Sequence, residues 1–98
     1  MKITMTRNEK ELTVALEGRL DTLTSPELEE QLEPELEATE KLIFDLEGLE
    51  YISSAGLRVL LGAMKAMEES GEMLVKNACP DILDIFEVTG FVDFLNIV

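Results

Sequence analysis

The chain has 98 residues, enough for one compact domain and too few for a second with its own core. Its 46% hydrophobic and 30% charged content is that of a globular protein, and no apolar run approaches the roughly 18 residues of a membrane span. A formal charge of −13, from 21 acidic against 8 basic side chains, opposes nucleic acid and anionic membrane surfaces as partners and favours proteins with basic patches.

The first residues, MKITMTRNEKE, alternate apolar with polar and then turn charged, without the apolar centre of a signal peptide. The expected location is the cytoplasm. Ile3 and Met5, the turn-like Arg7-Asn8-Glu9-Lys10, and alternating Leu12, Val14 and Leu16 predict a hairpin of two strands. Past Gly18, the stretch Thr24-Ser25-Pro26-Glu27 predicts a helix start. Thr24 is the cap, Glu27 completes a capping box, Pro26 sits in the first turn, and Leu23 with Leu28 has the spacing of a hydrophobic staple. Leu28, Leu32 and Leu36 form the buried stripe of this helix, glutamates cover its other face, and Pro34 kinks or ends it before a loop near Ala38-Thr39.

Lys41 to Leu46, with the apolar run Leu42-Ile43-Phe44, predicts a strand buried on both faces. Glu47-Gly48-Leu49-Glu50 then reads as a loop, and Tyr51-Ile52 closes the approach to a second helix. From Ala55 onward, Leu57, Leu60, Leu61, Met64 and Met67 keep helical spacing until Ser70-Gly71 stops the run. Met73-Leu74-Val75 is a short strand, Pro80-Asp81 opens a third helix, Gly90 ends it, and the apolar tail from Phe91 to Val98 docks on the body. The order predicts an α/β fold: a single mixed β-sheet with helices packed against it and right-handed crossovers.

Chemistry is confined by absence. There is no His, and Cys79 is the only cysteine, which removes Ser-His-Asp and Cys-His catalysis, an internal disulfide and a structural zinc site. The one segment with chemical promise runs from Leu49 through Ser53-Ser54-Ala55-Gly56 to Arg58, where a buried strand feeds a helix N-terminus. Free N–H groups there favour an anion, so Ser54 is a candidate phosphate carrier. Equally, Ser53 or Ser54 can be an ordinary helix cap, and Gly56 a close-packing residue. Asp21 and Asp45 at strand ends read first as turn carboxylates, and Met64 with Met67 as core. Arg58 is either an exposed arginine or a contact for a partner or phosphate.

Phe44-Asp45-Leu46-Glu47-Gly48-Leu49-Glu50-Tyr51-Ile52-Ser53-Ser54-Ala55-Gly56-Leu57-Arg58-Val59-Leu60-Leu61 resembles the signature block of the anti-sigma factor antagonists, the STAS family. Gly18-Arg19-Leu20-Asp21 and Val88-Thr89-Gly90-Phe91 are similar to further family blocks, so the resemblance spans the chain. By position, the family's turn Asp falls on Ser53, its phosphorylated serine on Ser54, its second serine on Ala55 and its glycine on Gly56. The resemblance implies a STAS-like fold and partner switching. The unmodified protein binds an anti-sigma factor that is itself a serine kinase, phosphorylation at Ser54 breaks the complex, and a phosphatase can reset it. It implies no cofactor, since the nucleotide belongs to the kinase, and a partner surface of Asp21, Ser53, Ser54, Ala55, Gly56 and Arg58. Domains resembling this one also serve as accessory subunits of lipid-transport or stress-sensing complexes, the alternative role. An enzyme with Ser54 as nucleophile lacks both a histidine base and a G-x-S-x-G elbow.

Overall fold

A computed structural model describes all 98 residues. Strands β1 (Lys2–Asn8) and β2 (Glu11–Leu20) form the hairpin, followed by helix α1 (Ser25–Leu36), strand β3 (Lys41–Ile52), helix α2 (Ser54–Ser70), strand β4 (Glu72–Lys76) and helix α3 (Pro80–Thr89). A short 3-10 turn over Phe91–Asp93 leads into the tail. The sheet order is β1-β2-β3-β4, with the hairpin antiparallel and the other two pairs parallel, so the sheet is mixed as expected. The two crossovers, through α1 and α2, are what parallel neighbours require.

The hairpin turn is Glu9-Lys10, where Glu9 takes φ 57°. Leu12, Val14, Leu16 and Leu20 of β2 meet Leu42, Phe44, Leu46, Leu49 and Ile52 of β3 on one face, together with Met73 and Val75 of β4. Over that face lie Leu28 and Leu32 of α1, Leu57, Leu60, Ala63 and Met67 of α2, and Ile82 and Phe86 of α3. Burial of this cluster is the main driving force for the fold.

Two expectations for β3 fail. Its side chains are not buried on both faces: Leu42, Phe44 and Leu46 are buried, whereas Ile43 and Asp45 between them are only half-buried, because no helix covers the second face. The expected loop at Glu47–Glu50 is also strand. β3 carries one extra residue relative to β2 between Asp45 and Gly48 and another between Leu49 and Tyr51, so two bulges let it continue to Ile52. β2 runs through Gly18, at φ 97°, to Leu20, which leaves Asp21 at its end as expected.

The start of α1 differs from the expected box. Thr24 is the N-cap residue, but its side chain makes no capping bond to the helix. Its Oγ1 instead donates to the Arg19 carbonyl at 2.8 Å and accepts from the Asp21 N–H at 2.9 Å. Glu27 has no cap partner to answer, and Leu23, 89% exposed, does not staple onto Leu28. Pro34 lies in the last turn, and the helix ends two residues later, ahead of the Ala38-Thr39 loop. The tail docks as expected: Val75 N–H donates to the Asn96 carbonyl and Val98 N–H to the Val75 carbonyl, both at 2.9 Å.

The C-terminus of α1 is closed from outside the helix. The Arg7 guanidinium donates to the Glu35 and Ala38 carbonyls, to the Glu35 carboxylate and to Thr39 Oγ1, all between 2.9 and 3.1 Å. It satisfies carbonyls that a helix end leaves unpaired and ties β1 to α1. Arg7→Ala is expected to cost about 1.5 kcal/mol, read by chemical denaturation, because charged hydrogen bonds are lost while the buried Thr39 hydroxyl keeps only its bond to the Glu35 carbonyl. A loss below a few tenths would mean that solvent replaces the guanidinium at no cost.

Candidate functional site

The candidate site is built at the C-terminal ends of β2 and β3. Leu20 and Ile52 are register partners there, both fully buried, and the Ser53 N–H donates to the Leu20 carbonyl at 2.8 Å. With no loop between, the chain turns from Ile52 into α2. Ser53 keeps extended backbone angles, φ −93° and ψ 175°, and its Oγ accepts from the Gly56 N–H at 3.3 Å. Ser53 is therefore the N-cap, so its oxygen is engaged with the helix.

Ser54 is the first helical residue, and it is exposed. Its hydroxyl makes no hydrogen bond with the protein, so of the two serines it is the free one. Ala55 is half-buried and brings no bulk to the turn. Gly56 is buried against the strand ends, where an added Cβ would sit 2.8 Å from Ile52 Cγ1 and 2.8 Å from Leu20 Cγ. The helix thus starts flush on the sheet only because that position has no side chain. Arg58, one turn on, is exposed and forms no ion pair.

Asp21 follows directly on Leu20, which places it beside the serine turn. Its Oδ1 accepts from the N–H of Leu23 at 3.0 Å and the N–H of Thr24 at 3.1 Å, and the Thr24 hydroxyl oxygen lies 3.2 Å away. These bonds shape the β2–α1 turn as an Asx turn, in keeping with the turn-carboxylate reading. The hydrogen bond from the Thr24 N–H holds the Asp21 carboxyl below its ordinary value of 3.8, with help from the Leu23 N–H and nearby Arg19. A carboxyl with a depressed folded pKa contributes its stabilisation above the unfolded value and loses it as pH falls through the folded one. The Leu23 and Thr24 amide resonances are therefore expected to titrate together with a midpoint below 3.8, and a midpoint above it would contradict the Asx turn.

Asp45 does not belong to this site. It pairs in register with Ala15 and Lys76 in the middle of the sheet, where its Oδ1 accepts from Asn77 Nδ2 at 3.0 Å and from the Glu47 N–H at 3.1 Å. Met67 is core and Met64 packs against it, as read from their spacing.

Two exposed apolar side chains at the same end of the sheet carry no expectation from the sequence. Exposed Tyr51 and Val88, the latter 87% exposed, line a shallow groove together with half-buried Ile85 and the edge of buried Ile52. Arg19 lies over the Tyr51 ring, 4.3 Å from its centroid, and the Asx turn carries Leu23 outward. Leu23, an apolar residue in a polar turn, carries the signal in the sequence, although its spacing from Leu28 reads as a staple. No helix of the chain is long and apolar enough to cross a membrane.

Residues 2–98 match the family model described as the STAS domain. An anti-sigma-B factor antagonist of Staphylococcus aureus (strain NCTC 8325 / PS 47) is 32% identical over 99 residues, covering 99% of this chain and 92% of that protein. Among solved structures, an anti-sigma factor antagonist from Mycobacterium paratuberculosis superposes with a TM-score of 0.88 at 20% identity, covering 98% of this chain and 83% of that one. The Bacillus cell fate determinant SpoIIAA, solved in its phosphorylated form, superposes with a TM-score of 0.78 at 19% identity, covering 99% and 91%. At such identities the two structures speak to the fold alone.

Proposed function

Because the chain belongs to the STAS domain family, alongside proteins named as anti-sigma factor antagonists, we propose that it is itself such an antagonist, a non-enzymatic cytoplasmic switch domain worked through Ser54. Unmodified, it binds an anti-sigma factor through a surface of Asp21, Ser53, Ser54, Ala55, Gly56 and Arg58. That partner, a serine kinase, transfers the γ-phosphoryl group of ATP to Ser54 Oγ, releasing ADP, and the hydroxyl proton passes to a base on the kinase. The product carries about −1.5 to −2 added charges at the contact, and the complex separates. A phosphatase reverses the step.

One observation carries the choice of residue: Ser53 Oγ is engaged in capping α2, while the neighbouring Ser54 hydroxyl is exposed and unbonded. At the first helical position, a phosphate on Ser54 also faces the positive end of the helix dipole. The family's turn aspartate is here Ser53, another good cap, so the substitution keeps the helix start while removing a carboxylate from the surface.

The test is phosphorylation by the cognate anti-sigma kinase with ATP, followed by mass spectrometry. One phosphate is expected on wild type and on Ser53→Ala, and none on Ser54→Ala. Ser54→Asp should weaken the complex at least about tenfold, because a new charge must be desolvated where the partner sits, while Ser54→Ala stays bound. Phosphate on Ser53, or wild-type affinity for Ser54→Asp, would sink the assignment and leave the accessory-subunit role as the better reading.

A further inference from the structure

We propose that Arg58 is the intramolecular counter-ion of a phosphate on Ser54. The inference rests on Ser54 as the modified residue and goes beyond it by assigning where the phosphate's charge is received. Ser54 and Arg58 stand four residues apart at the start of α2, on one face and one turn from each other, and both are exposed. An acid preceding a base at this spacing is the favourable order on a helix.

Arg58 is available for the task. Lys2, Arg7, Lys10 and Lys41 are engaged with carboxylates, and Arg19 covers the Tyr51 ring, whereas Arg58 has neither kind of partner. The acidic groups that face it are Glu29 and Glu33 of α1, across a groove of about 270 Å³, and neither comes within ion-pair distance. The first turn of α2 also has no acidic side chain, while α1 has Glu27 and α3 has Asp81 at the equivalent place. The cation and the helix dipole are therefore both uncompensated in the unmodified protein.

A phosphate on Ser54 answers both. It carries more charge than a single glutamate and offers three acceptor oxygens to the guanidinium fork, so it outcompetes Glu29 and Glu33. Its arrival has a second consequence: Arg58, unpaired beside the turn, is occupied from within. Phosphorylation then alters the docking surface twice, by adding negative charge and by withdrawing Arg58 from any acidic group of the partner.

The experiment uses the full chain with phosphoserine placed at position 54 by semisynthesis or genetic encoding, so that no kinase is needed. The apparent second pKa of the phosphate is measured by phosphorus NMR for wild type, Arg58→Gln and Arg58→Lys. Wild type is expected to titrate about 0.5 pH unit below Arg58→Gln, with Arg58→Lys recovering part of the difference. Thermal midpoints of the unphosphorylated variants, expected to match wild type, establish that each is folded. Equal phosphate pKa values in wild type and Arg58→Gln would overturn the proposal while leaving Ser54 phosphorylation intact. Failure of a cognate kinase to modify Ser54 would overturn the reading beneath it and not the pairing.

Discussion

Gly71→Ala is expected to destabilise the protein by about 3 kcal/mol, lowering the thermal midpoint by roughly 12–20 °C for a chain of this size. The cause is a backbone collision. A Cβ on Gly71 would run into the carbonyl oxygen of Glu40 and lie 2.5 Å from its carbon and 2.9 Å from its Cα. Backbone atoms cannot rotate away as a side chain would, so one of the two segments must move. Neither is free to do so, since the Glu40 carbonyl accepts from the Glu72 N–H at 2.9 Å and the Glu40 N–H donates to the Lys10 carbonyl at 2.8 Å. Glu40 thus joins the beginnings of β2, β3 and β4, and a shift there disturbs all three strands. The check is equilibrium denaturation of Gly71→Ala beside Gly62→Ala, whose Cβ meets nothing within 4 Å and whose helical position should accept alanine with a gain. A Gly71→Ala loss under about 1 kcal/mol would mean that the approach of the two chains is looser than described.

Gly71 also marks where sequence reading reaches its limit. A glycine after an apolar helical run reads as a helix stop, commonly in the left-handed conformation, and Gly90 takes that conformation with φ 81°. At Gly71 φ is 167°, which is extended backbone open to any residue, and the need for glycine comes from Glu40, thirty-one positions earlier in the chain. Local pattern cannot contain that information. The same is true of Arg7, read as part of a turn, whose guanidinium closes a helix it does not adjoin in sequence.

β3 shows a different limit. Strand periodicity is legible while buried residues recur every second position, as in Leu42, Phe44 and Leu46, and it disappears where they recur every third, as in Leu46, Leu49 and Ile52. Each bulge inserts one residue and keeps the next apolar side chain on the core face, so a continuous strand presents the pattern of a loop. The serine turn was more legible because its determinants are local: a cap, an exposed hydroxyl and a small residue lie within four positions. Sequence left open which serine caps, and the hydrogen bond from Gly56 to Ser53 decides it.

Gly56 connects that turn to the core, and Gly56→Ala is expected to cost about 2 kcal/mol by overpacking. The methyl group would lie 2.8 Å from both Ile52 Cγ1 and Leu20 Cγ, and both side chains are held in a fully buried cluster with no space to yield. Relief by moving the helix start is costly too, since the Gly56 N–H caps onto Ser53 and the Ser53 N–H is bonded to the Leu20 carbonyl. A double-mutant cycle with Leu20→Ala separates packing from any intrinsic effect of alanine in the first helical turn. Removing the Leu20 side chain deletes one of the two clashes and leaves a cavity beside position 56, so Gly56→Ala should cost about 1 kcal/mol less in that background. Equal costs in the two backgrounds would show that Leu20 does not restrict the position. The same variant bears on presentation of Ser54, two residues before the glycine. If the added methyl lifts the first turn, the amide resonances of Ser53 and Ser54 shift in Gly56→Ala and return toward their wild-type positions in the double mutant. Unmoved resonances alongside a full stability loss would mean that the strand ends absorb the strain and the serine keeps its place.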